Sequence, residues 1–235
     1  MSSIIAEDVF KFVILLFSLS LHECAHAWTA SRLGDQTARL QGRVTLNPIP
    51  HIDPVGTLLF PALVIFGPLF NFPIDFLLVG WAKPTPVITR NLKKIVRDDN
   101  LITLAGPASN LLLALIAFVA LAVVCAAVPG GRALVRGTIE GGLMINGPSE
   151  LQALVVLALL AIEINVSLFF FNLLPIPPLD GSHLLRNMLP YNAVQQYDRI
   201  PPWIGWLLMI FVGGFLLSLL VGPVLTVAQA ILWSI

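Results

Sequence analysis

His22, Glu23 and His26 stand within five residues, in the run HECAH. Helical positions i and i+4 share a face, so the two imidazoles can grip one metal ion together. Glu23 lies beside them, where it could take a proton from a water at that ion. The chemistry implied is metal-assisted hydrolysis. The setting is an apolar stretch, VFKFVILLFSLSLHECAHAWTA (9–30), suited to a membrane. A mid-bilayer charge costs roughly 2.5–3.5 kcal/mol on insertion scales. Two histidines and an acid within one turn are therefore costly to leave idle there.

A catalytic zinc typically has three protein ligands and one open position. The chain offers few candidates for the third. Asp180 stands out, in FNLLPIPPLDGSH (171–183). Pro175, Pro177 and Pro178 break the preceding apolar run and force an extended chain at membrane depth. Such backbone is tolerated only where it is buried or lines a polar cavity. Gly181 is expected to let the backbone bend just after Asp180. A carboxylate on this unwound end could complete a His-His-Asp site for one Zn2+; the plain alternative is a helix-capping aspartate. His183 would close the open position as a fourth ligand and is left out. Cys24, two positions after His22, points about 200° away around the helix.

The elements that must position these groups are membrane spans. Of 235 residues, 57% are hydrophobic and 11% charged, and the mean hydropathy is +0.89. Soluble domains carry about 25% charged residues, so the composition excludes one and reads as an integral membrane protein. Thirteen basic residues balance thirteen acidic ones. No basic patch is interleaved with aromatics, so nucleic acid is not an expected partner. Two cysteines in different apolar segments make no disulfide framework. Glu7 and Asp8 occupy the place of a basic n-region, so the N-terminus does not read as a cleaved signal peptide.

A span needs about 20 apolar residues. Four segments qualify: 9–31, 101–128, 151–179 and 203–233. The last is interrupted by Gly213-Gly214 and Gly222-Pro223. It is expected to be one tilted helix, or a span with an interfacial helix after it. The fold class is thus an all-α, polytopic membrane protein of about 4–6 transmembrane helices, with a membrane-associated hairpin or loop after the first. Residues 1–235 read as a single membrane-embedded domain, with a core over 9–185 and a C-terminal helical segment over 203–233.

Segment 56–80 is ambiguous, being punctuated by Pro61, Pro68 and Pro73. Its flanks are both basic: Arg32, Arg39 and Arg43 before it; Lys83, Arg90, Lys93, Lys94 and Arg97 after it. The positive-inside rule puts both on the cytoplasmic side. The stretch between would then return to its starting side, as a hairpin or a re-entrant element. The N-terminus, the neutral loop 129–150 and the C-terminus would be outside, and HECAH near the cytoplasmic face. Segment 40–55 is not helical in pattern and fits either a short β-hairpin or an irregular loop. Glu163, in the third span, reads as structural. His51 and Asp53 read as loop residues.

Three elements together resemble the site-2 protease family of intramembrane zinc metalloproteases: HECAH (22–26), GPASN (106–110) and NLLPIPPLDG (172–181). The resemblance covers about residues 10–185 and is to the short bacterial type without PDZ or CBS domains. It implies zinc held by His22, His26 and Asp180, with Glu23 as the general base that activates the attacking water. It implies that Asn172 and Asn110 hydrogen-bond the substrate backbone or the developing oxyanion. It implies substrates that are transmembrane segments, unwound before attack because a helix hides its peptide bonds. Trimmed regulators and leftover signal peptides are such substrates. A membrane-protein regulator is compatible with this reading, and the oligomeric state is not legible. Family members can pair the loop after HExxH with substrate as a β-strand, which points to 40–55. The alternative of another class is a metal transporter or silent scaffold. Glu23 speaks against it, because such a site needs ligands but no adjacent base.

Overall fold

A computed structural model describes residues 2–67, 81–141 and 150–235. The described residues contain helices and no strands. Four helices among them are long and apolar enough to cross a membrane: Ala6–Leu33, Ile95–Ala127, Glu150–Leu173 and Phe211–Ser234. These are the four segments expected from hydropathy, and the chain is a multi-pass, all-α membrane protein.

Helix α1 (Ser2–Leu33) carries HECAH in its last third. The short α2 (Thr37–Leu40) follows. Residues 41–53 form turns, bends and one 3-10 turn at Ile49–His51, so the irregular loop forms and the β-hairpin does not. Arg43 pins this loop, its Nη1 donating to Pro50 O at 2.6 Å and Lys83 O at 3.2 Å. His51 is buried and bonds Thr45 O through Nε2. Asp53 caps the π-turn Pro54–Leu59 by accepting from Val55 and Gly56 N–H. Both therefore serve the loop. Helix α3 (Phe60–Phe66) continues from that turn. Residues 68–80 lie outside the described residues, and with them the choice between a hairpin and a re-entrant element.

Residues 81–88 have no regular structure and lead to α4 (Ile95–Ala127). Helix α5 (Gly131–Glu140) occupies part of what reads as a loop in the sequence. Its helical register pairs Arg136 with Glu140 at i,i+4 and sets the guanidinium over Trp233. Helix α6 (Glu150–Leu173) ends six residues before the expected 179, because the proline-rich run cannot continue it. Then come α7 (Asp180–Met188), α8 (Tyr191–Tyr197) and α9 (Pro202–Leu208). Helix α9 passes through a π-turn at Met209–Gly213 into α10 (Gly214–Ser234). The glycines and Pro223 do not break this rod. A proline within a membrane helix is accommodated by local adjustment.

Helix α4 packs along both α1 and α6. Its outer face exposes Leu111, Leu112, Leu115, Ile116, Val119 and Val123, a surface for lipid. Its inner face offers Gly106 and Asn110 to α1, where Ser18 and Ser20 are buried. Small and polar residues at the seam let membrane helices approach and bond across it.

Candidate metal centre

The helix brings His22 and His26 together, and α4 fixes both rings from the far side. His26 Nδ1 lies 2.7 Å from Ile102 O. A carbonyl only accepts, so Nδ1 carries a proton, and in the neutral ring Nε2 then keeps its lone pair. His22 Nδ1 lies 2.7 Å from Asn110 Oδ1, which sets the same tautomer. The Nε2 atoms are 3.0 Å apart. Asp180 Oδ2 lies 3.1 Å from His22 Nε2 and 3.4 Å from His26 Nε2. With both rings neutral, three electron-pair donors thus face one another, and Asp180 Oδ2 is a buried oxygen without a hydrogen-bond partner. A cation resolves this arrangement. Ligand atoms around a tetrahedral zinc lie about 3.3 Å apart, given bonds of about 2.0–2.2 Å. The observed separations fit that spacing, so the donor set suits zinc and leaves room for one more ligand.

Glycines make the approach possible at two points. A Cβ on Gly106 would lie 2.3 Å from His26 Nε2 and 2.6 Å from His22 Nε2. At Gly181 a Cβ would meet Leu173 O at 2.2 Å and Leu174 O at 2.5 Å. Gly181 is helical and has no positive φ. Its role is close packing of α7 against the end of α6, not the bend expected from the sequence. Asn187 also ties α7 to α4, donating to Asp99 Oδ2 at 2.7 Å and Asn100 Oδ1 at 2.8 Å. Asp180 therefore sits in the first turn of a helix anchored at both ends.

Glu23 lines the same cavity, which encloses about 800 Å³. Its Oε2 accepts from Thr85 N–H at 2.9 Å and Thr85 Oγ1 at 2.7 Å. Asn172 lines the cavity too, its Nδ2 donating back to Leu168 O at 2.9 Å. Asn110 does not line it. Asn110 is fully buried, with Oδ1 on His22 and Nδ2 on Asn165 Oδ1 at 3.0 Å and Ser18 O at 3.4 Å. His183 lines the cavity outside the converging trio, and Glu163 is exposed on α6. Segment 40–55 does not line the cavity; Trp81, Ala82, Pro84, Thr85 and Val87 do.

The model for peptidase family M50 matches residues 10–220. The chain belongs to that family. Among curated relatives, "Putative zinc metalloprotease YwhC" of Bacillus subtilis strain 168 is 38% identical over 178 residues, 76% of this chain and 68% of the relative. "Putative zinc metalloprotease Rip2" of Mycolicibacterium smegmatis is 37% identical over 112 residues, 46% of this chain and 39% of its own. The Rip2 of Mycobacterium tuberculosis H37Rv is 31% identical over 176 residues, 74% of this chain and 55% of its own. No solved structure matches the chain. Family membership agrees with the resemblance read from the three motifs. With four apolar helices of spanning length among the described residues and a His-His-Asp group suited to a metal, this M50 member is an intramembrane zinc metalloprotease. The transporter alternative finds no support in it.

Thr85, Asn165 and the crowding at Gly106 are features that motif reading missed. Asn165 had a signal: it is an amide in an otherwise apolar run, seven residues before Asn172 and so on nearly the same helix face.

Proposed function

We propose that His22, His26 and Asp180 hold the zinc and that Glu23 is the general base of a peptide hydrolysis within the membrane. The observation that carries this is the convergence of three possible ligand atoms in a cavity that the Glu23 carboxylate also lines. Bound there, zinc would supply Lewis acidity, acidifying water and polarising the scissile carbonyl. Glu23 takes the proton from the attacking water and passes it to the leaving amine. Thr85 occupies Oε2, which leaves Oε1 for that transfer. Asn172 offers a carboxamide to the substrate backbone or the developing oxyanion. Asn110 has both ends of its amide engaged, so we assign it to holding His22 and no longer to substrate.

The substrates of this reading are membrane-spanning or juxtamembrane segments of other proteins, such as trimmed regulators or signal-peptide remnants. The unwound segment lies along 81–88, which lines the cavity without regular structure. The basic flanks of 56–80 support a site near the cytoplasmic face of the cell membrane, with the N-terminus outside. Residues 1–235 act as one membrane-embedded unit in this reading.

The test is cleavage of a single-span reporter in proteoliposomes. Glu23→Gln should keep zinc and lose about 100-fold or more of the rate. Wild-type turnover by that variant sinks the mechanism.

A further inference from the structure

Asn165 lies on α6, is 1% exposed and does not line the cavity, yet it stands at the head of a chain of hydrogen bonds that ends on the ring of His22, at the nitrogen opposite the one that faces His26 and Asp180. Its Nδ2 donates to Ala161 O at 2.9 Å. Its Oδ1 accepts from Asn110 Nδ2 at 3.0 Å. Asn110 Oδ1 accepts from His22 Nδ1 at 2.7 Å. The three links run from α6 through α4 to α1.

The direction of this chain has a chemical consequence. A carboxamide has an accepting and a donating end. Turned by half a rotation, Asn110 would present Nδ2 to His22 Nδ1. His22 would then have to accept there and carry its proton on Nε2, and that proton would occupy the lone pair that faces His26 and Asp180. The orientation of Asn110 therefore decides whether His22 can be a ligand at all. Ser18 O opposes the flip only from 3.4 Å. The shorter restraint is Asn165 Oδ1, and Ala161 O, which can only accept, fixes the orientation of Asn165 in turn.

We infer that Asn165 is a positioning residue for the metal centre: through Asn110 it sets the tautomer of His22 and keeps Nε2 free to ligate. This rests on His22 being a zinc ligand. A merely adhesive role, joining α4 to α6, would affect stability but not zinc affinity.

The experiment measures the zinc Kd of the full chain in detergent by competition with a chromophoric chelator, and the melting of the metal-free protein. Asn165→Leu should weaken zinc about 10–100-fold while the metal-free protein still melts cooperatively. Asn165→Asp, which offers Asn110 an acceptor whether ionised or protonated, should bind within about threefold of wild type. The Asn110→Leu/Asn165→Leu double variant should be no weaker than Asn110→Leu alone, because both act through one link. Wild-type affinity in a folded Asn165→Leu overturns the inference. So do equal losses in the Asp and Leu variants, or losses that multiply in the double variant. If Asn165→Leu does not fold, the Asp variant and Asn110→Leu decide: a weakened Asp variant overturns the inference. His22→Ala separates the two levels, since undiminished zinc binding there defeats the ligand reading itself, however the Asn165 variants behave.

Discussion

Thr85 holds Glu23 by a single carboxylate oxygen, Oε2, with its backbone N–H at 2.9 Å and its Oγ1 at 2.7 Å. The hydroxyl also lies 3.1 Å from the backbone oxygen of Glu23. One side chain thus clasps both the carboxylate and the helix that carries it. A general base must be held within hydrogen-bond reach of the proton it takes. Thr85→Val removes the hydroxyl but keeps the shape and the N–H. A hydrogen bond to a charged group contributes about 1.5–3 kcal/mol, so kcat should fall about 10-fold or more. Zinc affinity should not change, and Thr85→Ser should recover most of the rate. Reporter cleavage and zinc titration on the three proteins check this; equal kcat in all of them would show that the clasp is irrelevant to turnover.

Gly106 leaves the space that the two imidazoles fill. Gly106→Ala places a methyl 2.3 Å from His26 Nε2 and 2.6 Å from His22 Nε2, well inside contact distance. The rings must move, but Ile102 O and Asn110 hold their other nitrogens. Zinc affinity should drop by about 10-fold or more, in the range of lost outer-shell support. The fold should survive, because alanine is a better helix former than glycine by about 1 kcal/mol. Chelator competition reads the affinity and melting reads the fold. An unchanged Kd would mean that the rings have more freedom than their hydrogen bonds imply.

Asn172 and Asn165 are one heptad apart on α6 and are predicted to separate functionally. Asn172 lines the cavity, and its Nδ2 donates back to Leu168 O one turn earlier on the same helix. Asn172→Leu should lower kcat/KM about 100-fold, the scale of losing one oxyanion donor, with zinc Kd unchanged. A loss confined to zinc binding would move Asn172 to the support of the metal instead.

Much of this site was legible because its chemistry is local. HECAH brings two imidazoles and an acid together through helical geometry alone, and the prolines before Asp180 mark where α6 must stop. The spans were legible from apolar length. What escaped were partners set by tertiary packing. Thr85 meets Glu23 across 62 positions, from a segment with no periodicity to announce it. Asn110 belongs to a motif, but only the packing of α4 against α1 and α6 reveals that its amide is already engaged. Gly181 reads as a bend in the sequence, whereas its value is the absence of a Cβ against Leu173 O, which no turn propensity encodes. Helix α5 was hidden because its polar sequence reads as a loop between spans.

Asp35 is where acid should loosen the site's outer wall. It lies just beyond α1, fully buried. It accepts from Ile88 N–H at 2.6 Å, Asn91 Nδ2 at 2.9 Å, Thr37 N–H at 3.1 Å and Thr37 Oγ1 at 2.5 Å. Burial raises its pKa, but the hydrogen bonds from Ile88, Thr37 and Asn91 outweigh it and leave the group below the ordinary carboxylate value. An unfolded Asp titrates near 3.9. Between the lowered folded value and that one, the unfolded chain binds more protons, so stability rises with pH across the window. The contribution is complete above about pH 4 and is lost as pH falls through the folded value. Asp35→Asn replaces an acceptor-only group by one with a donating end. It should cost about 1–3 kcal/mol at neutral pH and flatten the acid dependence. Denaturant unfolding of both proteins in detergent, from neutral pH to about pH 3, reads the difference. Parallel pH curves for the two would show that Asp35 does not carry the acid sensitivity. Because Asp35 anchors Ile88 and Asn91, just after Thr85, its loss should also lower reporter cleavage at neutral pH while leaving zinc bound.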